Sequence, residues 1–150
     1  MTTTILLPLV NGIVLAGAFA LLARAAGPRH RLWMHAAMLL VAALFYVSFA
    51  ARAGAWSGVL LELAGTAAFG SLALLGLVRR APGMVALGWA LHPVWDVALH
   101  TWGTMEAYTP EGWVVACIGF DLLLAALIAR GWAGAPAPVP AAGARGPLRG

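Results

Sequence analysis

Apolar residues gather into five long runs along this chain, Ile5–Leu22, Trp33–Ala51, Trp56–Val78, Met84–Trp102 and Trp113–Ala129. A hydrocarbon core about 30 Å thick takes roughly 20 helical residues to cross, so each run is long enough to span or nearly so. The fifth is the shortest, at 17 residues. Barrel strands would be about half as long and would alternate apolar with polar, whereas helices satisfy every backbone group inside lipid. The connections Arg24–Leu32, Arg52–Ala55 and Arg79–Gly83 are short, which makes successive helices antiparallel neighbours. The pattern predicts an all-α polytopic membrane protein, an up-and-down bundle of five transmembrane helices. Five of the seven tryptophans (Trp33, Trp56, Trp102, Trp113, Trp132) fall at or near the ends of these runs, where an amphipathic ring suits the headgroup layer.

Composition sharpens this picture. Of 150 residues 63% are apolar and 9% charged, too little polar surface to cover a water-soluble globule. The nine basic residues are all arginine, and they form no stripe interleaved with aromatics, which excludes nucleic-acid binding despite a pI near 10.7. A lone Cys117 excludes an internal disulfide framework. Met1–Thr4 carries no positive side chain and the run after it exceeds a signal peptide's apolar core, so the first helix is expected to be retained.

Residues 1–132 form the expected transmembrane domain, and 133–150, rich in Pro, Gly and Ala, a disordered tail. Arg24, Arg29, Arg31, Arg79, Arg80, Arg130, Arg145 and Arg149 flank one side of the bundle and only Arg52 the other. Positive flanks stay cytoplasmic, which predicts an external N-terminus and a cytoplasmic C-terminus. The expected location is a bacterial inner membrane.

Ionisable groups inside a spanning helix cost several kcal/mol and mark sites. At about 1.5 Å of rise per residue, Glu62 falls roughly 9 Å below the outer end of the third helix, and Asp121 roughly 12 Å below that of the fifth. The same rise puts His100, Asp96 and His92 of the fourth helix at about 3, 9 and 15 Å. Asn11 and Tyr46 lie near that level. The spacing i, i+4, i+8 keeps His92, Asp96 and His100 on one face, with Trp89 one turn below as an apolar floor. Pro93 lacks an N–H and removes the usual partner of the Trp89 carbonyl.

Three uses of this cluster stand open. His92, Asp96 and His100, joined by Glu62 and Asp121, suit zinc, iron or manganese. Alternatively Asp96, Glu62 and Asp121 act without metal as acid and base, or the polar groups only pack against one another. Trp89, Trp95, Tyr46 and Asn11 are the candidate substrate contacts. His30 and His35 are expected at the cytoplasmic interface, Cys117 as a packing residue, and Gly65, Ala67, Ala68 and Gly70 as a close-packing face. The leading expectation is an enzyme acting on a hydrophobic lipid or isoprenoid substrate in an outward-facing pocket between the third, fourth and fifth helices. The alternative is a proton or cation pathway component, or a small structural subunit, working as a homo-oligomer or with a partner membrane subunit. Membrane lipid is the expected surrounding in either case.

Gly88-Trp89-Ala90-Leu91-His92-Pro93-Val94-Trp95-Asp96-Val97-Ala98-Leu99-His100, followed by Gly103, resembles the hallmark GW-x-x-H-x-x-WD-x-x-HH of a bacterial integral membrane family known as domain of unknown function 6010. Cys117-Ile118-Gly119-Phe120-Asp121 is similar to its Cys-x-x-Cys-Asp element. Leu99 stands where the first paired histidine is expected, and Phe120 where the second cysteine is. The resemblance implies a shared fold and groups His92, Asp96, His100 and Asp121 as a unit. It implies no activity.

Overall fold

The computed structural model describes residues 2–101 and 108–133, with the side chains of 2–4 left aside. Five helices follow in order: α1 (Thr2–Ala25), α2 (Pro28–Arg52), α3 (Trp56–Val78), α4 (Pro82–His100) and α5 (Trp113–Ala129). Each expected apolar run falls on a helix, the fourth as far as His100, and α1 and α2 extend into the expected first connection. Proline starts α2 and α4, where its missing N–H costs nothing. Farther along, α4 continues through Pro93 to His100. The tail from 134 onward, together with Trp102 and Glu106, lies outside the described residues.

Three helices, Ile5–Ala25, Pro28–Arg52 and Trp56–Val78, are long and apolar enough to cross a membrane, and Trp113–Ala129 is apolar but shorter. The surface agrees with their composition. Leucine, isoleucine and valine point outward along the helices, and Trp33 and Trp56 at helix ends are 60% and 71% exposed. The interior, by contrast, holds His35, Glu62, Thr66, His92, Asp96, His100 and Asp121. Polar groups inside and apolar groups outside invert the arrangement of a water-soluble domain.

Packing order departs from chain order at one place. α2 packs on α3, α3 on α4 and α4 on α5, as short connections require, but α1 packs chiefly on α5 and only lightly on α2. Glycine sets that choice. A Cβ on Gly12 would collide with the Ala116 backbone carbonyl, and one on Gly119 would stand 2.6 Å from the Leu9 carbonyl oxygen. The two backbones therefore touch, as small residues permit between apolar helices. The expected adjacency of the first two helices is thus corrected: a seam runs between α1 and α2.

At the Arg79 end the axis is filled by Leu39, Val85, Trp89, Leu124 and Ile128, each at most 2% exposed. Trp89 forms the expected floor, and its indole N–H donates to the His35 carbonyl at 3.2 Å. His35 itself is buried, edge-on to Phe19 at 5.4 Å, and not at the interface as expected. Its place facing α1 and α4 in the second turn of α2 outweighs its polarity.

Candidate functional site

His92, Asp96 and His100 do share the buried face of α4. Neighbouring helices divide them into two groups. At the deeper level His92 Nδ1 lies 2.9 Å from Asp121 Oδ2 of α5 and 3.4 Å from Asp96 Oδ2 one turn along its own helix. All three side chains are at most 1% exposed. The Tyr46 hydroxyl, from α2, donates to Asp96 Oδ2 at 2.8 Å. Phe69 of α3 closes the site edge-on against the His92 ring at 4.9 Å. His92, Asp96 and Asp121 offer one ligand atom each within 4.8 Å of one another.

One level toward the Trp113 end, Glu62 of α3 collects its own partners. Its Oε1 lies 2.9 Å from His100 Nε2 and accepts from the Tyr108 hydroxyl at 3.0 Å, while Oε2 accepts from the Trp95 indole N–H at 3.2 Å. Gly65, one turn along α3, gives Trp95 the room to reach it, since a Cβ there would stand 2.7 Å from the indole. Thr109 Oγ1 is 2.9 Å from His100 Nδ1. Burial and the Glu62 carboxylate push the Tyr108 phenol above its usual range, which keeps it protonated as a donor. The Tyr46 ring stacks on His100 at 4.6 Å and so packs the two groups together.

The two groups differ in how their carboxylates are satisfied. Both oxygens of Glu62 have partners, whereas Oδ1 of Asp96 and Oδ1 of Asp121 are buried without a hydrogen-bond partner among the described residues. Buried polar atoms are almost always paired, so two such atoms on adjacent acids call for an explanation. His100, grouped by sequence with His92 and Asp96, stands instead with Glu62.

An apolar cavity of about 390 Å³ opens in the seam between α1, α2 and α5. Leu15, Phe19, Ala42 and Phe45 line it opposite Trp113, Cys117 and Asp121. Asp121 is therefore common to the triad and to the cavity. The expectation places its pocket between the third, fourth and fifth helices, whereas this cavity opens between α1, α2 and α5. α3, α4 and α5 enclose the polar groups themselves, and this cavity lies on the far side of Asp121, where α1 leaves α2 to dock on α5.

Of the expected substrate contacts, Tyr46, Trp89 and Trp95 are committed to hydrogen bonds inside the bundle. Asn11 is exposed on α1, away from both groups, because its neighbour Gly12 is turned onto α5. Tyr108, Thr109, Phe69 and the cavity wall at Cys117 escaped the sequence reading. For Tyr108 and Thr109 a signal existed: two hydroxyl residues in the loop at the end where Glu62 and His100 project.

No curated protein and no solved structure gives a match to this chain. A family described as one of unknown function (DUF6010) matches residues 7–137, well beyond the segment that carries the hallmark, and the chain belongs to it.

Proposed function

We propose that this member of a family without an assigned activity is a multi-pass enzyme of the bacterial inner membrane, with its N-terminus outside and its C-terminus in the cytoplasm. Its substrate is a hydrophobic molecule of lipid or isoprenoid type that enters sideways between α1 and α2. One observation carries the reading: the apolar cavity in that seam has Asp121 on its wall, and Asp121 is held by His92, the residue at the centre of the buried triad. Sites for small molecules combine an apolar concave wall with a few placed polar groups, and this cavity has that character.

Within the site the roles follow from contact. Asp121, its side chain 1% exposed, is the acid among the residues that line the cavity and so stands nearest the substrate. His92 bridges Asp121 and Asp96 and distributes charge between them, and Tyr46 fixes Asp96. Glu62, His100, Tyr108 and Trp95 form a polar cap toward the outer end that fixes α3 against α4. A transmembrane proton or cation route is disfavoured by the apolar plug of Trp89, Leu39, Val85 and Leu124 beneath the triad.

Lipid extracts from membranes carrying the wild-type chain, Asp121→Asn or the cavity-filling Ala42→Phe test the proposal. A hydrophobic species converted by the wild type and left unconverted by both variants is expected. Identical extracts from all three at equal protein levels would contradict it.

A further inference from the structure

We propose that His92, Asp96 and Asp121 hold one divalent first-row metal ion, of the zinc, iron(II) or manganese class, beside the cavity. The proposal takes the site from the enzymatic reading above and names its cofactor. It begins with charge. The chain has no lysine, and among the described residues His92 is the base that lies against both aspartates, within 2.9 Å of Asp121 and 3.4 Å of Asp96. With both aspartates ionised and His92 protonated, the triad keeps one uncompensated negative charge in a low-dielectric interior. A divalent ion with neutral imidazole brings the count to zero.

The second observation is independent of charge. Asp96 and Asp121 each commit Oδ2 to the histidine side and leave Oδ1 buried with no partner among the described residues. A cation takes lone pairs from both carboxylates and so gives each of these oxygens a partner. One imidazole nitrogen and carboxylate oxygens from two residues within 4.8 Å form a mixed set suited to borderline and hard divalent ions and not to copper(I), which prefers thiolate. Tyr46, donating to Asp96 Oδ2 at 2.8 Å, supplies the outer hydrogen bond that orients a ligating carboxylate. Three protein ligands leave coordination open, which is how catalytic metals differ from structural ones, and the cavity runs to Asp121.

The experiment is elemental analysis of the full chain purified in detergent without chelator, followed by titration of the stripped protein with Zn²⁺ and with Mn²⁺. Stoichiometric binding of one of these ions or of iron is expected. Asp121→Asn and His92→Gln should each weaken it by more than the about 10- to 100-fold typical of losing an outer-sphere partner. His30→Gln, an exposed histidine far from the triad, should leave it unchanged, and Asp96→Glu, which keeps a carboxylate, should retain measurable binding even if Asp121→Asn fails to accumulate. A wild-type protein that neither retains nor takes up any of these ions overturns the proposal, as does equal binding by wild type, Asp121→Asn and His92→Gln. A metal-free wild type that still converts its hydrophobic substrate would overturn the metal alone and leave the enzymatic reading standing.

Discussion

Asp121 stands at the boundary of two environments, an apolar cavity on one side and a buried imidazole on the other, and the proposed site divides its neighbours between chemistry and support. Tyr46 is support. Removing its hydroxyl in Tyr46→Phe strips the 2.8 Å donor from a fully buried carboxylate, and hydrogen bonds to charged groups are worth about 1.5–3 kcal/mol. The thermal midpoint in detergent should fall accordingly. Asp96→Asn keeps the shape and an acceptor for Tyr46, so it should cost under about 1 kcal/mol while abolishing turnover. A variant that melts normally and remains fully active would remove Asp96 from the site. The spacing of His92, Asp96 and His100 made their common face legible in the sequence. Which of them would meet Asp121 and which Glu62 was not legible, because spacing along one helix says nothing about the rotation of its neighbours.

At the scale of elements, the seam between α1 and α2 is made by contacts on the opposite side of α1. Gly12 and Gly119 bring α1 and α5 into backbone contact, and that docking holds the cavity open. Gly119→Val forces a side chain to within 2.6 Å of the Leu9 carbonyl oxygen, and overpacking of this kind costs about 1–3 kcal/mol. Gly17→Ala, on α1 and with nothing within 4 Å, should be neutral or slightly stabilising. Comparing the two melting midpoints checks the claim; equal midpoints would mean that α1 is not seated on α5. All five helices could be placed from the apolar runs. The pairing of α1 with α5 could not, because their turns of small residues resemble those of Gly65 to Gly70 on α3, and composition does not tell a backbone contact from a glycine facing lipid.

Across the whole molecule, buried ionisable groups and an outward apolar surface suit lipid as the solvent, and arginine placement is the ground for the proposed orientation. Reporters inserted in the loops at Gly54 and at Arg80 should read external and cytoplasmic respectively, and the same reading from both would mean that α3 does not cross. The membrane class was legible in the apolar runs, and the proposed orientation rests on the distribution of arginine. The cavity was not legible there, since it is a property of how the surfaces of α1, α2 and α5 fail to meet.

The central claim is that a hydrophobic molecule occupies that cavity against Asp121. Mass spectrometry of the lipid retained by the purified protein after extensive detergent exchange tests it most directly. Wild type and Asp121→Asn should both keep a stoichiometric hydrophobic molecule that Ala42→Phe loses, because the wall and not the carboxylate supplies most of the buried apolar contact. Retention of the same molecule by Ala42→Phe, or retention of none by the wild type, would contradict the account.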